Sequence, residues 1–181
     1  MARSLAIKDV LFNLTYEYEN TLTDSSIAKF NDKFSINDSL ATGTEVDQAD
    51  RLWFSKGRVL ATGTSEDIDV YDLASVDIGA GSGSDALGQS FALTELVALV
   101  VHNKAASGNL KVGGKGTTAA FSSLFDSDDD AKIIVKAGGF AILYAPADPA
   151  YEVADTSNHV LKVQASGGEV TYDILIIGRS A

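Results

Sequence analysis

The chain has 181 residues, an apolar fraction of 45% and a formal net charge of −11. A chain of this length fits one domain, which buries roughly 70% of the surface that its unfolded state exposes. Only 14 basic residues stand against 25 acidic ones, and they are scattered singly. This balance excludes a binder of phosphate backbones, so no nucleic-acid partner is expected. Cysteine is absent, which excludes disulfides, thiolate metal sites and thiol nucleophiles.

The first residues carry Arg3 and Lys8 and contain no apolar run long enough for a signal peptide. No segment reaches the roughly 18 apolar residues of a membrane span. The nearest, residues 91–101, is interrupted by Thr94 and Glu95. We therefore expect synthesis in a cytoplasm, no export by a classical signal and no membrane partner.

Apolar and polar residues alternate over residues 12–19, which predicts a strand that starts at Phe12. A short helix over residues 5–11 is the alternative for the segment before it. We predict that residues 1–12 form an N-terminal arm and that residues 13–181 form a single domain.

Residues 20–50 are the most polar part of the chain and contain many turn-forming pairs. They predict an extended excursion with at most one short strand, over residues 34–40. An irregular segment this long is unusual in a compact domain. It therefore predicts either a functional surface or packing against a neighbouring subunit.

The next segment contains two strand-like runs, residues 51–61 and 67–73, around a turn at residues 62–65. The pattern predicts that these runs pair with each other. Trp53, the sole tryptophan, lies in the first run, and its large apolar area predicts a place in the core or in a subunit contact.

The last third contains three apolar runs, residues 132–136, 140–145 and 159–177. Residues 166–169 break the last run into two alternating arms around Gly-Gly, a pattern typical of a hairpin. Residues 96–101 lack polar alternation, which predicts a central strand covered on both faces. Eight to ten short strands without long amphipathic helices predict an all-β fold: an antiparallel, jelly-roll-like β-sandwich with an extended N-terminal arm and little helix.

Two kinds of segment invite a ligand-binding interpretation. Residues 79–83 and 113–116 are rich in glycine, but neither has the Gly-Lys-Ser/Thr order of a phosphate-binding loop, so both predict turns. Asp126, Asp128 and Asp130 have the spacing of the start of a calcium loop, but the later Gly and Glu of that loop are missing. We predict a solvated turn there, with an adventitious calcium site as the alternative.

No catalytic constellation is visible. His102 and His159 lie in strand-like segments at a spacing that metal sites and catalytic triads do not use, and no Gly-x-Ser-x-Gly elbow occurs. Paired carboxylates for glycoside hydrolysis stay open, since their separation is spatial. We predict that the protein is not an enzyme, with no catalytic residue, no metal-binding residue and no cofactor.

Five blocks of the sequence form one recognisable pattern. These blocks are residues 42–73 with the run QADRLWF, 109–114 (NLKVGG), 135–140 (VKAGGF), 170–174 (VTYDI) and 177–180 (IGRS). Together they resemble structural proteins of tailed bacteriophages. The resemblance implies a component of the virion, in which residues 1–12 bind the capsid shell or an adjacent subunit. The expected function is that of a head decoration (cement) protein that stabilises the capsid shell, with a fibre or spike subunit as the alternative.

The same resemblance implies other copies of the chain, the major capsid protein or other virion proteins as partners. A sandwich with free sheet edges also favours self-association with closed symmetry, so we expect a homotrimer or a higher ring. The rival class is a carbohydrate-binding sandwich. Its aromatic platform would be Tyr144 and Tyr151, which flank Pro146 and Pro149, although core packing explains Tyr144 equally well.

Overall fold

The computed structural model describes residues 7–21, 27–73, 92–114, 119–125 and 130–180. Within these ranges the only helix is α1 (Ser122–Phe125). The strands are β1 (Ile7–Thr21), β2 (Ile27–Thr42), β3 (Gln48–Ala49), β4 (Arg51–Leu60), β5 (Ser65–Asp69), β6 (Glu95–Asn103), β7 (Asn109–Gly113), β8 (Lys132–Val135), β9 (Phe140–Tyr144), β10 (Tyr151–Glu152), β11 (Val160–Ser166) and β12 (Val170–Arg179). The predicted all-β, antiparallel, sandwich-like fold with little helix is confirmed, and its jelly-roll form stays a prediction.

Two antiparallel sheets pack against each other. The first sheet has the order β4–β12–β6, and β9 and β10 both pair with the far side of β6. The second sheet has the order β5–β11–β7–β8. Side chains at alternate positions of both sheets point between them because the side-chain period of a strand is two. The core contains Trp53, Leu99, Leu110, Val163, Tyr172 and Ile174 among others.

The prediction that residues 159–177 form a hairpin is wrong, because β11 and β12 lie in different sheets. The turn at Gly167 and Gly168 carries the chain across the core, and Gly167 there adopts a φ of 72°. The predicted pairing of residues 51–61 with 67–73 is wrong for the same reason, since β4 and β5 also lie in different sheets. In both cases the apolar sides of the consecutive strands face each other across the sandwich.

The prediction of an irregular excursion over residues 20–50 is also wrong. β2 is 16 residues long and pairs with the 15 residues of β1 in a long hairpin. Side-chain polarity along residues 27–42 suggested a loop, but the pairing with β1 supplies the backbone hydrogen bonds that a strand needs. The predicted boundary between arm and domain at residue 12 falls inside β1.

β6 has the central place that its apolar run predicts, since it pairs with β12 on one side and with β9 and β10 on the other. Leu96 to Leu99 are buried, whereas Val100 is half-buried and His102 is exposed. One part of its outer face is therefore covered and the remainder is not.

Candidate interaction surfaces

The glycine-rich and acidic segments lie partly outside the described residues, which exclude 79–83, 115–118 and 126–129. Gly113 is buried, and a Cβ at this position would come within 2.7 Å of the Phe125 ring, so glycine is needed here for packing. Asp130 is exposed and lies 3.0 Å from Lys132 Nζ. Within the described part of the chain, no group of three His, Cys, Asp or Glu side chains could hold a metal ion.

His102 lies in β6 of the first sheet, and His159 lies directly before β11 of the second sheet. His159 is half-buried, and its Nδ1 lies 2.9 Å from Asp69 Oδ1. His102 is exposed on the outer face of β6, where its partners across the strands are Asp173 and Phe140. The fold therefore does not bring the two histidines together.

One cluster of polar groups, in which Tyr172 is buried and Arg58 and Glu66 are half-buried, joins β4, β5 and β12. Arg58 Nε donates a hydrogen bond to Glu66 Oε1 at 3.1 Å, and the Tyr172 hydroxyl donates to the same carboxylate. The hydrogen bond to Glu66 is the chief cause that raises the pKa of Arg58 above its ordinary value. Burial is the chief cause that raises the pKa of Tyr172, and Glu66 adds to it. The cluster connects the two sheets.

A second buried cluster surrounds Arg179, whose side chain is 1% exposed. Its Nη1 donates to Glu95 Oε2 at 2.6 Å and to the Ala147 carbonyl at 2.8 Å. Its other nitrogens donate to the carbonyls of Pro146 and Gln48. Because protein groups accept from every nitrogen of the guanidinium, Arg179 fixes β12 to three other segments.

The hairpin of β1 and β2 has two chemically different faces. Even-numbered positions of both strands share a face, since Phe12 pairs with Ile36. The opposite face is mainly polar, and Lys29 there forms ion pairs with Glu17 and Glu19. We call the even-numbered side the hairpin face. It carries Phe12, Leu14, Tyr16, Phe34 and Ile36, together with Asp32.

The hairpin face is not covered by the rest of the chain that the structure describes. Leu14, Tyr16, Phe34 and Ile36 are between 41% and 54% exposed. Phe12 and Phe34 contact each other edge to face, with ring centroids 6.2 Å apart. A two-stranded hairpin on its own is marginally stable in water, and an uncovered apolar face of this kind is a candidate interaction site.

The base of the hairpin is fixed to the first sheet. Leu40 is buried in a small apolar cluster with Ala49, Ala98 and Ile177. The Tyr144 hydroxyl donates to Asp38 Oδ2 at 2.7 Å. Burial is the main cause that raises the pKa of Tyr144, and the Asp38 carboxylate acts in the same direction. The hairpin face and the outer face of the first sheet therefore meet at this base.

Beyond the base, the outer face of the first sheet is apolar and open. The register places Phe54, Leu175, Val100 and Ile142 in one row across four strands. Phe54, Ile142 and neighbouring Phe140 are 45% to 58% exposed. We call these five residues the sheet face. A cleft of about 370 Å³ lies over β4, β12 and β6, lined in part by Leu52, Phe54, Val100 and Leu175. We call it the central cleft.

Charged side chains border the sheet face at the end away from the hairpin base. Lys56 Nζ lies 5.6 Å from the centre of the Phe54 ring. Lys104 Nζ lies 3.4 Å from Asp173 Oδ2. Burial tends to raise the pKa of Asp173, but hydrogen bonds from the Gly57 amide and Lys104 outweigh it, so the pKa is lowered.

Two tyrosines were the candidate platform for a carbohydrate. Tyr144 is half-buried and hydrogen-bonded to Asp38, and Tyr151 is half-buried against the main core. Both rings are therefore engaged in packing. The sequence analysis did not predict the sheet face. Apolar residues at both odd-numbered and even-numbered positions of β4, β9 and β12 were a usable signal that both faces of the sheet are apolar.

A scan of protein-family models found no match for this chain, and neither curated proteins nor solved structures gave one. Over the described ranges, no helix has the length and apolar character needed to cross a bilayer.

Proposed function

We propose that the protein is a structural subunit of a bacteriophage particle, and specifically a capsid decoration (cement) protein located in the virion. Its partners are other copies of the chain, in a trimer, and the major capsid protein. The observation that carries this proposal is the hairpin of β1 and β2, because an uncovered apolar face on a projecting hairpin gains free energy by packing on another chain.

The chemistry of the buried polar groups supports a structural role. Arg58 and Glu66 are paired with each other, and the hydrogen bonds of Arg179 all go to groups of the same chain. These side chains hold strands together. The sequence blocks that resemble structural proteins of tailed phages support the assignment to a virion independently of the geometry.

The hairpin also fits the way in which a decoration protein would work. At roughly 3.4 Å per residue, its strands of 15 and 16 residues extend for about 50 Å. An element of that length reaches across a subunit boundary, and it adds contacts that resist separation of the shell subunits. A fibre or spike subunit would use the same projecting hairpin and is the second proposal.

Electron microscopy of particles assembled with and without the protein tests the proposal. We expect additional density on the outer surface of the shell only when the protein is present, and a higher temperature of shell rupture. Particles with Leu14→Asp and Phe34→Asp are expected to lack that density, whereas Leu11→Asp, on the opposite side of β1, is the matched control. Density on a fibre would favour the second proposal, and no density anywhere on the particle would reject both.

A further inference from the structure

The described part of the chain has two uncovered apolar surfaces, the hairpin face and the sheet face, and they meet at the base of the hairpin. We infer that the sheet face of one copy receives the hairpin face of a second copy. This inference rests on the proposed structural role and names the contact through which copies associate.

The two surfaces match in length and in the order of their chemistry. On the hairpin, two apolar pairs are followed by the pair Tyr16 and Asp32. On the sheet, the row that contains Phe54 is followed by a row that contains Asp173 and His102, next to Lys56. On each surface, the last apolar row and the charged row next to it are two residues apart along the strands, which is roughly 7 Å. When the apolar parts are superposed, the charged ends therefore coincide.

Charge distinguishes this contact from its alternatives. Among the described side chains on the outer half of the hairpin face, Asp32 is the charged one, and Lys56 makes no ion pair with any described residue. Docking of the hairpin face on the sheet face brings these opposite charges together. Two hairpin faces packed on each other would enclose two Asp32 carboxylates. Two sheet faces would bring two Lys56 side chains together, whereas Lys104 is already paired with Asp173 in each copy. Both arrangements are disfavoured by repulsion between like charges.

Shape favours the same pairing. The sheet face is highest at its two outer strands, where Phe54 and Ile142 are exposed, and lower at Leu175 and Val100, which are half-buried. The hairpin is two strands wide, and Phe34 is the most exposed of its aromatic side chains that the structure describes. The ring of Phe34 fits the central cleft of about 370 Å³.

Such a contact joins two different surfaces, so each copy has one donor surface and one acceptor surface. An assembly of this type closes into a ring when the rotation between copies permits it. In a pair of copies, each hairpin would occupy the sheet face of the other. A ring of three copies is the smallest closed assembly in which every hairpin occupies the sheet face of the next copy and no two copies do so reciprocally. This agrees with the proposed trimer.

Mixing of two complementary variants of the full chain tests the inference. The hairpin variant carries Leu14→Asp and Phe34→Asp, and the sheet variant carries Phe54→Asp and Ile142→Asp. Each variant retains one intact surface. We expect each alone to sediment as a 19.0 kDa chain, and the equimolar mixture to form a species of two chains. Leu11→Asp and Ile134→Asp, at exposed apolar positions outside both faces, are the matched controls and should assemble like the unmodified chain.

Other outcomes overturn the inference. If the sheet variant alone assembles like the unmodified chain, the hairpins associate with each other. If the hairpin variant alone does so, the sheet faces associate with each other. A mixture that contains only single chains also rejects the proposed contact. The mixing experiment uses purified protein, so a failure of the proposed contact between copies does not decide whether the protein is part of the particle. Conversely, absence of the protein from particles would reject the proposed function and would leave the result of the mixing experiment intact.

Cross-linking keeps the inference testable if an aspartate variant fails to fold. The chain contains no cysteine, so Phe34→Cys and Phe54→Cys each introduce a single thiol. We expect a short thiol-reactive cross-linker to join two chains several-fold more efficiently in the mixture than in either variant alone. Equal or greater cross-linking within Phe34→Cys alone would contradict the inference.

Discussion

At the scale of single residues, buried charge in this protein connects strands. Arg179 connects the end of β12 to Glu95 on β6 and to backbone carbonyls of two other segments. The geometry matches the planar fork of a guanidinium, which an ammonium group cannot reproduce. Arg58 and Glu66 make an equivalent connection between β4 and β5. Arg179 and Glu95 could not be paired from the sequence, because they are 84 residues apart along the chain. Arg58 and Glu66 are only eight residues apart, but their contact depends on β4 and β5 lying in different sheets.

Replacement of Arg179 by methionine should be strongly destabilising. The change leaves Glu95 and three carbonyl groups without their donor, so we expect a loss of about 3–5 kcal/mol in the free energy of unfolding. Arg179→Lys should recover only part of this loss. Urea denaturation followed by the fluorescence of Trp53, which is 1% exposed, measures both. Lys29→Met breaks only exposed ion pairs and should change the free energy by less than about 1 kcal/mol. An equal loss in both variants would contradict this account.

Tyr172 predicts a loss of stability in alkaline solution. Its pKa is raised in the folded protein, chiefly by burial, whereas an unfolded tyrosine loses its proton near pH 10. Above that pH, unfolding releases a proton, so the free energy of unfolding falls as pH rises. We expect this decline to be shallower in Tyr172→Phe than in the unmodified protein between about pH 9 and pH 11. Parallel declines would show that Tyr172 does not carry the effect.

At the scale of elements, periodicity predicted strands well and their partners poorly. The alternation in β11 and β12 is correct, and Leu161, Val163, Val170 and Tyr172 are buried as alternation requires. The same alternation fits two strands paired as a hairpin in one sheet, whose apolar sides point in the same direction. It fits equally well two strands in facing sheets, whose apolar sides point toward each other. Only the packing of the whole domain distinguishes the two.

The long hairpin was missed for a related reason. β2 mixes polar residues with Phe34, Ile36 and Leu40, and turn propensity dominated the prediction. Among the described strands, β2 pairs only with β1 and the short β3. Its polar face is exposed and its apolar face is uncovered, so burial within the domain gives no signal either. A surface that awaits another chain is difficult to recognise from the composition of its own chain.

Shortening of the hairpin separates its role in assembly from its role in folding. Replacement of residues 11–37 by Asn-Gly joins Val10 to Asp38, which are paired in the intact protein. The anchors Ile7, Asp38 and Leu40 remain. We therefore expect the free energy of unfolding of the monomer to stay within about 1 kcal/mol of that of the hairpin variant, while association is lost. Thermal melting and gel filtration measure the two properties, and a truncated chain that still assembles would contradict the prediction.

At the scale of the whole molecule, the net charge of −11 keeps copies apart unless specific contacts bring them together. We propose that the hairpin face and the sheet face provide such contacts, since the described part of the chain leaves their apolar side chains uncovered. The sequence predicted the sandwich and the tendency to associate. It did not predict the two surfaces, because they depend on the long hairpin and on which strands lie side by side.

Sedimentation of the unmodified chain tests the central claim, that this protein acts through contacts with further copies of itself. We predict a discrete assembly with three times the mass of the 19.0 kDa chain, which the hairpin variant with Leu14→Asp and Phe34→Asp reduces to single chains. A single 19.0 kDa chain at every attainable concentration would contradict the claim.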